Sequence, residues 1–191
     1  MRKRFIKHLE ERVVGLRLLV FDFDGVFTDG KVIVREDGKE SVVCSRKDTL
    51  RLPELVQAGI RLVVISKEGN PVVAARCQKI KVGSEGKLEC FQGVDDKLTL
   101  LQRFLDQSGI TASETAFMGD DINDLPCMKH VGLSFTVADG HFQCKQVADY
   151  TTARKGGDHA VREVCDLILE IRNLADFKKR ETEQGAGSAA V

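Results

Sequence analysis

The sequence predicts a Rossmann-like, three-layer α/β sandwich with a mostly parallel sheet. Three observations carry this. Short apolar runs at Gly15 to Phe23 (GLRLLVFDF), Arg61 to Ser66 (RLVVIS), Thr115 to Met118 and Leu133 to Val137 have the near-continuous hydrophobicity of strands covered on both faces. Segments with apolar residues at helical spacing lie between them. Strands alternating with helices imply right-handed βαβ units and a sheet with helices on both sides.

The elements follow in order. After the first strand, Lys31 to Arg46 alternates apolar and polar residues around Asp37-Gly38, the dipeptide that favours a type I′ hairpin turn. Val32, Val34, Val42 and Cys44 then share one apolar face of that hairpin. A short helix carries Leu50, Leu52, Leu55 and Val56 and stops at Ala58-Gly59, before the Arg61 strand. Asn70-Pro71 predicts an N-cap with proline at the first helical position, opening a helix to about Ile80. Asp95 to Gln107 is amphipathic, with Leu98, Leu101 and Leu105 on one face. The Thr115 strand, a helix over Ile122 to His130 and the Leu133 strand come next. Ala160 to Ala175 then forms a helix through Val161, Val164, Leu167, Ile168 and Ile171. From Glu181 the chain is polar and small (ETEQGAGSAAV) and predicts a flexible tail. The expected organisation is one domain over residues 1–180, a hairpin flap at 31–46 and a tail at 181–191.

Composition narrows the function. The length of 191 residues suits a single domain, and 42% hydrophobic with 30% charged residues excludes wholesale disorder. With 29 Lys+Arg against 29 Asp+Glu there is no basic excess, so nucleic acid is not an expected partner. No apolar run approaches the ~18–20 residues that cross a bilayer. The start is not expected to act as a signal peptide, because Glu10, Glu11 and Arg12 precede the apolar stretch and Arg17 interrupts it. The six cysteines are scattered, without a CxxC pair or zinc-ligand spacing, and fit buried thiols in a reducing, cytoplasmic setting.

Asp22-Phe23-Asp24-Gly25-Val26-Phe27-Thr28-Asp29 is the strongest chemical signal. Two carboxylates end a buried strand, where unpaired charge is costly. A divalent cation and an anionic ligand would make them tolerable, and Mg²⁺ favours carboxylate oxygens together with a substrate phosphate. One such Asp can attack phosphorus, and the other, two residues on, can protonate a leaving alcohol and then activate water. Gly119-Asp120-Asp121-Ile122-Asn123-Asp124 supplies a second acidic cluster, also straight after a strand. Taken alone it fits an Asp-rich helix cap; beside the first cluster it can converge on the same cation. Ser66 ends a strand and offers a hydroxyl to phosphate, and Lys97 lies in the first turn of a helix. In parallel sheets the carboxyl ends of the strands, where these residues fall, are where ligands bind.

FDFDGVFTDG, VVIS, DDKLTLL and GDDINDL together resemble the four motifs of the haloacid dehalogenase superfamily of aspartate-nucleophile phosphatases. The chain is most similar to the capless branch of 3-deoxy-sugar-acid phosphate phosphatases, which includes the 3-deoxy-D-manno-octulosonate 8-phosphate and nonulosonate 9-phosphate phosphatases. It also resembles the related phosphatase-like domain of CMP-sialic acid synthetases. The likeness runs from about Leu16 to Asn173 and includes GLSFTVADGH, ADYTT and GGDHAVREVCDLIL. It implies Asp22 as nucleophile and Asp24 as general acid/base. It implies Mg²⁺ held by Asp22, the backbone carbonyl of Asp24, and Asp120, with Asp121 or Asp124 supporting the shell. Ser66 and Lys97 would hold the phosphoryl oxygens. It further implies a tetramer in which hairpins pack together and a neighbour covers each site. The spacings leave no room for a cap domain, since Asp24 to Ser66 holds a hairpin and a helix and Ser66 to Lys97 a helix and a short connection.

The chain differs from that branch at two places. Arg46-Lys47-Asp48-Thr49-Leu50 replaces a glycine-containing RDGxG segment, and Gly156-Gly157-Asp158-His159-Ala160 replaces a GGRGA loop. A specificity set is expected at Glu68, Arg76 and Lys79, where Arg76 and Lys79 are three apart and share a helix face. Cations there would pair with a 2-keto acid carboxylate and Glu68 would accept hydrogen bonds from sugar hydroxyls, a set that resembles the nine-carbon branch. The alternative for all three is a solvated helix face. Among competing functions, a phosphomutase needs a cap and a dehalogenase does not need Asp24. A receiver domain lacks an acid two residues past its phosphorylated Asp, and a silent assembly module could dispense with the nucleophile.

Overall fold

Leu18–Phe21 (β1) sits inside a six-stranded sheet and is wholly buried, as its apolar run requires. A computed structural model describes residues 9–82 and 86–188. On one side of β1 lie Arg61–Ile65 (β4) and Glu89–Phe91 (β7); on the other lie Thr115–Gly119 (β8), Leu133–Thr136 (β9) and Tyr150–Thr151 (β10). The order is β10-β9-β8-β1-β4-β7, and every pairing is parallel. The chain runs outward from β1 through β4 to β7, then crosses back to β8 and runs outward the other way. That reversal makes the carboxyl ends of β1, β4 and β8 a topological switch point, where a crevice opens.

The strand residues alternate between two apolar cores. Leu19, Phe21, Leu62, Val64, Ala116 and Met118 face one layer. That layer contains helical residues 9–14 (α1), Leu52–Gln57 (α2), Val72–Lys79 (α3) and Ala160–Ser188 (α7). Leu18, Val20, Val63, Ile65 and Phe117 face Lys97–Ser108 (α4), Leu125–His130 (α5) and Phe142–Val147 (α6). Three layers result, as the sequence predicts.

Several boundaries differ from the sequence pattern for identifiable reasons. The hairpin strands shorten to Ile33–Val34 (β2) and Glu40–Ser41 (β3), and the turn is not type I′. Gly38 alone is left-handed (φ +76), the Gly38 N–H donates to Arg35 O and the Arg35 N–H to Lys39 O. This is a three-residue loop closed by a left-handed glycine, which spares Asp37 the positive φ that type I′ demands. The expected Ile122 helix begins as a 3-10 turn over Ile122–Asp124, and α5 starts with Pro126 in its first turn. Asn70 caps α3 through its side chain, whose Oδ1 accepts the Val72 N–H at 3.1 Å. A small antiparallel pair, Lys81–Val82 (β5) with Gly86–Lys87 (β6), and the edge strands β7 and β10 carry too few apolar residues to stand out in the sequence. The last helix continues through Ser188, past Glu181, where a flexible tail is expected; Glu181, Glu183 and Gln184 are good helix formers and no proline stops them. The final three residues of that tail, and the first eight of the domain, lie outside the described residues. Among the described residues no helix is long and apolar enough to cross a membrane, and all six cysteines are free thiols.

Candidate active site

The first turn after β1 places Asp22 at the switch point, 5% exposed. Its Oδ1 accepts the Phe23 N–H at 2.7 Å and lies 2.7 Å from the Lys97 ammonium. Lys97 is the first residue of α4, a helix begun by Asp96, whose side chain accepts the Thr99 N–H at 3.0 Å. The same ammonium donates to Asp124 Oδ1 at 2.7 Å, so one buried cation joins two carboxylates from different chain segments. Asp124 Oδ2 accepts the backbone N–H groups of Asp120 at 3.0 Å and Asp121 at 3.4 Å, fixing the loop after β8.

Asp22, Asp120 and Asp124 each bring a carboxylate oxygen within 4.8 Å of the others. Three carboxylates around one ammonium leave an excess of negative charge in a poorly hydrated place. Burial, reinforced by Asp124, holds the Asp22 carboxyl well above its ordinary value despite Lys97. Burial, then the charges of Asp124 and Asp121, push Asp120 up to about 7. Burial alone would lower Lys97, but Asp22 and Asp124 outweigh it and hold the ammonium above its ordinary range. A small divalent cation relieves such a cluster, and all-oxygen donors suit Mg²⁺. Both oxygens of Asp124 are already engaged, so Asp22 and Asp120 are the side chains placed to meet the ion and Asp124 supports them. Gly25 makes the close approach possible: its φ is +78, and a Cβ there would overlap the Asp120 carboxylate.

Asp24 is half-buried across the same turn, and its Oδ1 accepts from the Thr28 hydroxyl at 3.5 Å. Burial and then the charge of Glu68 hold its carboxyl above the ordinary range. Thr28, given no role by the sequence pattern, organises this turn by accepting the N–H groups of Gly25 and Gly30, each at 3.1 Å. A cleft of about 390 Å³ opens above these groups, lined among others by Asp22, Asp24, Ser66, Glu68, Val32 and Val42. Ser66 is 1% exposed, and its Oγ accepts the Glu68 N–H at 3.1 Å, leaving a hydroxyl hydrogen to donate. The hairpin reaches this rim, where Glu40 Oε2 accepts from Asn70 Nδ2 at 3.0 Å.

The structure thus gathers Asp22, Asp24, Ser66, Glu68, Lys97, Asp120 and Asp124 around one crevice. Asp121 turns outward as an exposed cap on the Ile122 N–H at 2.7 Å. Arg76 and Lys79 do not line the cleft of their own chain: Arg76 is half-buried on α3 beside Cys44 of the hairpin, and Lys79 is exposed at the helix end.

Comparison with known proteins gives the family and its relatives. Residues 65–164 match the haloacid dehalogenase-like hydrolase family. The 3-deoxy-D-manno-octulosonate 8-phosphate phosphatase KdsC of Salmonella typhi is 33% identical over 175 residues, covering 92% of this chain and 90% of that protein. The crystal structure of the Moraxella catarrhalis 3-deoxy-D-manno-octulosonate 8-phosphate phosphatase, in complex with magnesium ion, phosphate ion and KDO, superposes with a TM-score of 0.81. It is 33% identical, over 92% of this chain and 98% of that one. The cobalt-bound form of the Haemophilus influenzae deoxy-D-mannose-octulosonate 8-phosphate phosphatase gives a TM-score of 0.77 at 30% identity, over 85% and 92% of the two chains.

Proposed function

The chain belongs to the haloacid dehalogenase-like hydrolases, and from that premise we propose that it hydrolyses the phosphate monoester of a 2-keto-3-deoxy sugar acid. The observation that carries this is the pair Asp22 and Asp24 at the end of the central strand, with Lys97 2.7 Å from Asp22 and Asp120 across the crevice. Asp22 attacks phosphorus, a bond forms between its carboxylate oxygen and phosphorus, and the sugar oxygen leaves with a proton from Asp24. Asp24, now ionised, takes a proton from water as the water oxygen attacks the aspartyl phosphate, and inorganic phosphate departs with Asp22 restored. Ser66 and Lys97 hold the phosphoryl oxygens and offset the charge that builds on them. Asp22, the Asp24 carbonyl and Asp120 would hold Mg²⁺, with Asp124 rather than the outward-turned Asp121 steadying that shell. When bound, Mg²⁺ neutralises charge shared between phosphate and carboxylates.

Substrate chain length is set by the rim. The relatives named above are eight-carbon phosphatases, while Glu68, Arg76 and Lys79 favour a nine-carbon sugar acid, so both classes belong in the assay. A homotetramer is part of the same proposal, since Val32, Ile33, Val34 and Val43 of the hairpin are all half or more exposed. The test is phosphate release from eight- and nine-carbon 2-keto-3-deoxy sugar-acid phosphates and from simple hexose phosphates, with Mg²⁺ and with EDTA. Mg²⁺-dependent release that favours the sugar acids is expected. Hexose phosphates turned over as well as the sugar acids would overturn the substrate class, and no release from any would make the chain a silent assembly module.

A further inference from the structure

Asp48 has no part in the chemistry above, yet it is one of the few fully buried charged residues among those described. It lies in a 3-10 turn, Lys47–Thr49, just after the hairpin. Its two oxygens serve two different backbone groups: Oδ2 accepts the His159 N–H at 3.3 Å and Oδ1 the Arg162 N–H at 3.1 Å. One carboxylate therefore caps the first turn of α7, where the helix dipole also favours it. His159 is the one non-glycine among the described residues with a left-handed backbone (φ +73), a conformation that persists only where neighbours enforce it. Just before it, separated by Asp158, Gly156 and Gly157 lie against the loop that follows β1. The Gly157 N–H donates to Val26 O at 3.0 Å, and a Cβ on Gly156 would overlap Gly25 O. Asp139 Oδ1 holds the Gly156 N–H at 3.0 Å from the other side. Contacts thus run in series from Asp48, through residues 156–159, to the loop carrying Asp24.

We propose that Asp48 is a positioning residue for the hydrolysis: by fixing the start of α7 it presses the Gly156-Gly157 strap onto the Gly25–Thr28 turn and sets the reach of the Asp24 carboxyl to the leaving oxygen. This rests on the role of Asp24 as proton donor, and the leaving group separates it from plain helix capping. An alkoxide needs a proton as it departs, whereas p-nitrophenolate leaves without one. A displaced Asp24 therefore slows alkyl phosphates selectively, while a merely less stable fold lowers every rate alike.

The experiment compares kcat/KM on p-nitrophenyl, phenyl and glycerol phosphates for the wild type, Asp48→Asn and Asp24→Asn, well below each melting temperature. Asn can accept only one of the two N–H groups and sets an NH₂ against the other. The expected loss for Asp48→Asn is about ten- to a hundredfold on glycerol phosphate and within about threefold on p-nitrophenyl phosphate. Equal loss on all three substrates would overturn the proposal and leave Asp48 a helix cap. If Asp24→Asn shows no leaving-group dependence, the role of Asp24 falls, and this inference with it, whatever Asp48→Asn does. Should Asp48→Asn fail to fold, Gly157→Ala presses on the Thr28 backbone from the strap side. It must give the same leaving-group pattern, and a uniform loss there overturns the proposal equally.

Discussion

At the level of single residues, the crevice is defined by charges that oppose one another until a cation arrives. Asp22→Asn removes the nucleophile and one member of a crowded carboxylate set, while Lys97 keeps its 2.7 Å bond to Asp124. Turnover should vanish, and the metal-free melting temperature should hold or rise. Retained turnover in a calorimetrically folded Asp22→Asn protein would rule out the covalent route. The raised carboxyls also set a pH dependence. In the metal-free protein Asp22 and Asp120 bind protons more tightly folded than unfolded, so the stability present below pH ~4 is lost as pH rises through the folded value, about 7 for Asp120. Mg²⁺ binds the deprotonated carboxylates, so its stabilising effect should grow between pH 5 and pH 8. Scanning calorimetry with and without Mg²⁺ at both pH values measures this, and a shift of equal size at the two would contradict it. Asp120→Ala should weaken Mg²⁺ binding and be partly rescued at high Mg²⁺, because the Asp22 carboxylate and the Asp24 carbonyl remain.

Among the elements, the hairpin has little internal support. Its ladder is two residues long on each side, and Val42 and Cys44 pack on the core while Val32, Ile33, Val34 and Val43 do not. A two-stranded hairpin is marginal alone in water, and its exposed valines and isoleucine fit burial against other copies. Ile33→Glu with Val34→Glu should therefore reduce the particle mass seen by light scattering without changing the melting of the sheet domain. A wild type that scatters as a monomer at micromolar concentration would remove the basis for a tetramer. The same element shows what sequence pattern resolves. Alternation located the hairpin, but Asp37-Gly38 fits two turn geometries and only backbone pairing distinguishes them. β1, β4, β8 and β9 were legible because each is buried on both faces. β7 and β10 were not: as edge strands they mix Glu89 and Thr151 with apolar residues and lack a period to detect. Asp48 stood out only as part of the segment that replaces RDGxG; its capping role carried no signal, because its partners are more than a hundred residues away in sequence.

At the scale of the whole molecule, the parallel sheet brings residues from four distant segments to one crevice. Asp22, Asp24, Ser66, Lys97 and Asp120 were all visible because each follows a buried strand or opens a helix. Arg76 and Lys79 behave differently. They lie on α3 outside the cleft of their own chain, with Arg76 against the hairpin beside Cys44, in the region expected to meet a neighbour. If they pair with the substrate carboxylate, they do so in the cleft of another subunit, and specificity becomes a property of the assembly. Arg76→Ala should raise KM for the sugar-acid phosphate about ten- to a hundredfold, as expected for a lost charge-assisted pair, and barely alter p-nitrophenyl phosphate hydrolysis. Subunit mixing supplies the decisive measurement. An Asp22→Asn subunit is inactive but still presents Arg76, so refolding it together with Arg76→Ala subunits should create hybrid sites with a low KM. Arg76 acting within its own chain could never give that recovery: every active subunit in the mixture would still lack it, and KM would stay at the Arg76→Ala value.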